Sequence, residues 1–288
     1  MVKETISFIV NGDLVCGDLY LPASSNKPVP AVIVGGPMTS VKEQVTGVYA
    51  KALSERGIAA LALDHRHYGE SEGKPRQYEY YQHKIEDLSA GIDYLSGRNE
   101  IDSDNLGAIG ICLGVGYVVW TAVKNPKIKW LGAIAGYYRD VDEMQQNDPS
   151  AFNSKIEEGI AARKQYEATG KAITIPAVAL TGEAAMTTPE LYDYYGTPRA
   201  GVANYTNEFA IMSREHFISF DVQSAAQKLS IPVAMVHSRH AISPEWAEKF
   251  YQSLTCDQRI KWIESKGQVD FYDDQRLVTA ALDFITGA

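Results

Sequence analysis

The residues that could do chemistry converge on one thiol. Asn105 to Tyr117 reads NLGAIGICLGVGY, in which an apolar run enters Gly110-Ile111-Cys112-Leu113-Gly114 and a small-residue helical pattern leaves it. Strand, sharp turn and helix with one reactive side chain at the apex is the pattern of a nucleophile elbow, here with Cys112 where serine is usual. A residue at so tight a tip sits in strained backbone, so its neighbours must be nearly free of side chain, and the glycines meet that need. The turn also aims the first amides of the helix at the space above the sulfur, where an oxyanion is favoured. Leu113 is therefore the expected first oxyanion donor. A second belongs in Gly35-Gly36-Pro37-Met38, the loop after the apolar strand 31–34; Pro37 has no N–H, which leaves Met38. Read locally, Cys112 is also a packed small hydrophobe and Gly-Gly-Pro also a plain turn.

The elements that must position these groups follow from hydrophobic period. Residues 5–10 and 14–21 alternate as two strands joined at Asn11-Gly12-Asp13, a hairpin signal. After a Pro-containing loop, 23–30, the expected order is strand 31–34, helix 45–56, strand 58–63, helix 84–95, the elbow strand and helix, and strand 130–135. From Tyr137 to about 229 the period changes. That stretch holds a helical pattern at 150–168, an apolar run at 175–180 that reads as strand or as insertion core, and a Tyr-rich segment at 192–205. It suits a lid over a ligand pocket, with Tyr137 as a candidate contributor. Strand 231–237, helix 244–254, strand 260–263 and helix 273–285 close the chain. One catalytic domain, 1–288, with a lid insertion at about 137–229 is expected.

Composition narrows the function classes. With 45% hydrophobic and 22% charged residues, neither disorder nor membrane spanning is a good reading. A net charge of −9 without a basic cluster disfavours nucleic acid and anionic lipid. Cys16, Cys112 and Cys256 lack C-x-x-C spacing, which suggests reduced thiols, a cytoplasmic location and no zinc site. The N-terminus lacks the apolar stretch of a signal peptide. No phosphate-binding glycine loop and no His or carboxylate cluster at ligand spacing is present, so no cofactor or metal is implied.

The order of elements and the motifs together resemble the α/β-hydrolase superfamily over nearly the whole chain. The likeness is closest to the branch around dienelactone hydrolases, which also carry Cys in the elbow. It rests on Gly36-Pro37 followed by Val41-Lys42-Glu43-Gln44, on residues 64–73, on Pro75-Arg76-Gln77, on the elbow, and on Asp270-Phe271-Tyr272-Asp273. The resemblance implies a mostly parallel sheet with helices on both faces. It also implies an acid four residues before a proline after the late strand, and a base histidine before the last helix. Those positions hold His240, ahead of Pro244, and Gln268. Gln cannot take a proton at working pH, so the Ser-His-Asp relay cannot be copied onto this chain.

Three readings stay open. In the first, Cys112 attacks the carbonyl of a small or medium ester, lactone or thioester. His240 shuttles the proton, Gln268 orients the ring, and the helix N-terminus lowers the thiol pKa. In the second, the thiol is a weak acid or pocket wall in an isomerase, lyase or cyclase. In the third, the chain binds a small molecule without catalysis. The partner in each is a small molecule, and a homo-oligomer is left open. Glu43 could tune the thiol, as a carboxylate does in dienelactone hydrolases, or belong to a solvated helix start. His216 could enter the site from the lid or lie on the surface. His237 reads as core, Asp64 and Arg66 as structural, His65 and His67 as either, and Asp270 and Asp273 as helix caps. Cys16 and Cys256 carry no chemical signal.

Overall fold

The computed structural model describes residues 1–23 and 27–287; of the 23–30 loop, residues 24–26 lie outside the described residues. Strands β1 (Val2–Val10) and β2 (Asp13–Leu21) form the expected hairpin. Asn11 and Gly12 take φ of 52° and 96° at its tip, as a two-residue turn of this hand requires. Then come β3 (Val29–Gly35), α1 (Val45–Ser54), β4 (Ala59–Leu63), α2 (Tyr81–Ser96), β5 (Ile101–Ile111), α3 (Gly114–Lys124) and β6 (Ile128–Ile134). Next are α4 (Val141–Asn147), α5 (Pro149–Thr169), β7 (Thr174–Ile175), α6 (Pro189–Tyr195), β8 (Phe209–Ala210) and α7 (Arg214–Phe217). The chain closes with β9 (Val233–His237), α8 (Pro244–Ser253), β10 (Gln258–Trp262), α9 (Asp270–Asp273) and α10 (Gln275–Thr286).

Eight strands pair in the order β1-β2-β4-β3-β5-β6-β9-β10, antiparallel from β1 to β4 and parallel beyond. Strand β4 is buried along its whole length and β3 and β5 along their C-terminal parts, which is why they read as apolar runs rather than alternating ones. Register sorts the helices onto two faces. Gly35 meets Val118 of α3 and Gly91 of α2 meets Ile33, whereas Gly132 meets Ile109 and Ile285 of α10. Neighbouring residues of a strand point to opposite faces, so α2 and α3 lie on one side and α10 on the other. Strands β3, β5 and β6 are central, and the loops at their carboxyl ends form the crevice in which ligands of such sheets bind.

One open reading closes and one expectation changes. Residues 175–180 add no strand to the large sheet; β7 pairs with β8 alone, in a separate two-stranded ribbon. The single closing helix is two, because the Asp274 side chain accepts from the Arg276 N–H and starts α10 afresh. Asp274 is thus the cap expected of its neighbours. Asp273 instead holds Arg199, and Asp270 accepts from the Lys266 N–H. Among the described residues, no helix is long and apolar enough to cross a membrane.

Candidate active site

Cys112 sits at the apex between β5 and α3 with φ of 56°, the left-handed region that costs a non-glycine residue energy. Its N–H donates to the Ile134 carbonyl (3.1 Å), and its own carbonyl accepts from Tyr137 (3.0 Å), so the apex is tied to the end of β6. The flanking glycines are sterically required. A Cβ on Gly110 would fall 2.5 Å from Val115 Cα, and one on Gly114 would fall 2.2 Å from the Gly35 carbonyl oxygen. That approach seats α3 against the loop after β3, which carries Met38.

The Met38 loop is held by a buried ionic cluster. Thr39, at φ 62°, donates its N–H to Glu79 (3.0 Å), which also accepts from the Tyr68 hydroxyl (2.6 Å) and the Tyr117 hydroxyl and forms an ion pair with the Lys84 ammonium (2.6 Å). Burial pushes the Glu79 carboxyl up, but Lys84 and the two hydroxyls outweigh it and hold the group below its usual range. No oxygen among the described residues accepts from the N–H of Leu113 or Met38. Both residues line the cavity that contains Cys112.

That cavity has a volume of about 470 Å³. Cys112 is 8% exposed within it. Burial pushes the thiol up to about 11; Tyr272, the Leu113 N–H and Gln268 oppose the rise, and the negative charge of Glu190 adds to it. The expectation that the thiol pKa is lowered, drawn from the helix N-terminus, is not met: it is raised. Desolvation exceeds what Tyr272, the Leu113 N–H and Gln268 contribute against it, which favours the protonated thiol at neutral pH.

The structure brings the expected residues together only in part. Gln268 is at the sulfur, but its Nε2 donates to the Ala135 carbonyl (2.7 Å) and its Oε1 accepts from the Ile242 N–H (3.0 Å). With both ends on main chain, it does not orient His240. His240 lines the cavity, yet its side chain is 61% exposed and its Nε2 lies 3.9 Å from Glu264. The relay expected between them is not assembled. Tyr137 lines the cavity, stacked 5.7 Å from Trp246. Glu43 is not among the lining residues; it accepts from Lys42 and Asn204 (2.7 Å each). His216 lies against Tyr80, with ring centroids 4.6 Å apart, and is also outside the cavity wall. His65 faces Asp87, His67 faces His83 and the Pro75 carbonyl, and His237 is buried between the carbonyls of Gly136 and Ser238, all structural positions. Asp64 accepts from the Lys42 main chain and Arg66 pairs with Asp87, as the polar loop suggested.

Three further residues of the cavity wall were not singled out by the sequence, although Tyr272 lies in one quoted motif and Tyr195 in the Tyr-rich segment. Tyr272 is fully buried, and its hydroxyl completes no hydrogen bond in the resting arrangement although it stands where a thiolate would draw it in. Tyr195, on the same cavity wall, is also buried with an unpartnered hydroxyl. Glu190, in the first turn of α6, accepts from the Gln268 N–H (2.9 Å) and pins the 267–269 loop. For metals, the group of three acids close enough to share an ion among the described residues, Glu43, Asp64 and Glu70, already surrounds the Lys42 ammonium.

The sequence profile of the X-Pro dipeptidyl-peptidase (S15) family matches residues 11–173. The Uncharacterized protein YcjY of Escherichia coli (strain K12) is 30% identical over 279 residues, which cover 93% of this chain and 90% of that protein. The crystal structure of the hypothetical protein PA2218 from Pseudomonas aeruginosa superposes with a TM-score of 0.83 at 25% identity, covering 98% of this chain and 94% of that one. The Thiohydrolase aneE of Aspergillus aculeatus is 25% identical over 186 residues, 64% of this chain and 58% of that protein.

Proposed function

We propose, for a chain that belongs to the X-Pro dipeptidyl-peptidase (S15) family of α/β-hydrolase fold, that it transfers acyl groups through Cys112, with acyl thioesters as the foremost substrates and esters or lactones behind them. The observation that carries this reading is Cys112 held at φ 56° on the elbow apex, in a cavity also lined by Leu113 and Met38, whose amides no described oxygen occupies. In this reading those amides hold the oxyanion that develops when Sγ attacks a carbonyl carbon.

A protonated thiol with no imidazole on it favours a thioester donor. In that exchange the Sγ–C bond forms, the donor's C–S bond breaks, and the thiol proton ends on the departing sulfur. No base is consumed overall, because the proton that the attacking thiolate form gives up is returned to the departing sulfur. An amide leaving group would need a proton delivered to nitrogen in the transition state, and neither Gln268 nor Tyr272 is an acid suited to that. Peptide hydrolysis is therefore set aside. In the second half-reaction, water or another acceptor attacks the acyl-Cys112 carbonyl and Sγ leaves and is reprotonated. His240, on the exposed rim, activates that incoming nucleophile. Residues 137–229, which supply Tyr137, Glu190 and Tyr195 to the cavity, act as a lid that limits water. The name of the relative, a thiohydrolase, supports the same substrate class.

Thiol release from a panel of acyl thioesters tests this. Wild type is expected to turn over at least one of them. Cys112→Ala should abolish turnover, and Cys112→Ser should lose about 100-fold or more, as a hydroxyl with no base beside it. A second reading is favoured by one observation, the Gln268 carboxamide fixed at the sulfur by two main-chain partners. In it Cys112 stays protonated and the chain is a non-hydrolytic enzyme (isomerase, lyase or cyclase) or a small-molecule binder. Turnover that survives in Cys112→Ala, or ligand binding with no product, would select it.

A further inference from the structure

One wall of the Cys112 cavity is a buried cation without a counter-ion. Arg139 follows β6 and is 2% exposed, yet it lines the cavity. Its Nε donates to the Phe220 carbonyl (3.2 Å) and its Nη2 to that of Ile218 (2.9 Å), and the neutral Tyr137 hydroxyl is a further hydrogen-bond partner that brings no counter-charge. The guanidinium lies over Phe217 (4.6 Å to the ring centroid) and beside Tyr137 (5.5 Å), both cavity residues. No carboxylate among the described residues comes within ion-pair distance. Asp140, next in the chain, is paired with Lys249, and Asp221 acts on Arg139 only through its longer-range field. Buried charges in proteins are ordinarily paired, and removing a guanidinium from water without a partner is costly. Burial does push Arg139 below the ordinary arginine value, but a guanidinium titrates so high that it keeps its charge at neutral pH.

We propose that Arg139 binds a carboxylate on the substrate, so that the site takes acyl donors that carry a second, anionic carboxyl group at the end remote from the reacting carbonyl. The two walls are charged in opposite senses. Glu190 stands near the sulfur with one oxygen held by the Gln268 and Val269 N–H groups, and it repels a carboxylate from Cys112. Arg139 attracts it to the far end. A single flat guanidinium between two aromatic rings matches a planar carboxylate, whereas a phosphate dianion asks for more donors than this wall offers. The assignment deepens the acyl-transfer reading but does not depend on it, because binding of the anion needs no reaction at Cys112.

Calorimetric titration of wild type with 4-phenylbutyrate, 4-phenylbutyramide and phenylphosphonate tests it without turnover. The acid is expected to bind at least about tenfold more tightly than the amide, and more tightly than the phosphonate. In Arg139→Gln the acid should fall to the affinity of the amide, with the amide unchanged. Equal affinity of acid and amide for wild type overturns the proposal even if the variant does not fold, and so does a preference for the phosphonate. A preference for the acid in a wild-type protein that forms no acyl adduct and releases no thiol from any acyl thioester would sink the acyl-transfer reading and leave this one standing.

Discussion

At the scale of the residue, the sulfur of Cys112 is governed by its environment more than by its place at a helix end. With the thiol pushed up to about 11, the thiolate fraction grows with pH throughout the neutral range. Alkylation by iodoacetamide, read at the Cys112 peptide, should rise about tenfold per pH unit between roughly pH 6 and 9, with no plateau in that window. A plateau near neutral pH would mean a stabilised thiolate and contradict the burial argument. Two neighbours act in opposite senses on the same rate. Tyr272→Phe removes a donor to the thiolate and should slow alkylation at fixed pH by about 3- to 10-fold. Glu190→Gln removes a nearby negative charge and should quicken it. His240→Ala is expected to leave adduct formation intact and slow its decay, so the acyl-enzyme accumulates; slowed formation instead would restore His240 as base for the thiol.

At the scale of the element, the site depends on close approaches that only small residues permit. Gly114→Ala would drive a methyl group into the Gly35 carbonyl. It should destabilise the fold by about 1–3 kcal/mol in urea titration and displace the Met38 loop. Chain contiguity explains what was legible here. Strand, turn and helix of the elbow are adjacent in sequence, so their pattern announces the apex, and the hairpin at Asn11-Gly12 is local in the same way. Glu190 and the Gln268 amide it holds are 78 residues apart, and no local period connects them. The break at Asp274 was missed because a cap inside an apolar helical run leaves the period nearly unchanged. The relay of His240 and Gln268 was placed by analogy of position, and position does not say which way a side chain turns.

At the scale of the whole molecule, the apolar runs of β3, β4 and β5 fixed the class of fold, because strands buried on both faces have few other homes. The same sheet requires charged clusters beneath the site to be complete. Lys84 and Glu79 are both fully buried, so Lys84→Met should cost about 3–5 kcal/mol by stranding the carboxylate, and Glu79→Gln added to it should recover part of that loss. Such a pair is invisible to composition, as is the unpaired state of Arg139, because both are facts about which neighbours surround a side chain in three dimensions. The most direct test of the central claim is intact-protein mass after brief exposure to acyl thioesters, with Cys112→Ala alongside. The account predicts a mass increase equal to one acyl group that requires Cys112 and decays as product appears. Turnover with no adduct, or an adduct that forms equally on Cys112→Ala, would contradict it.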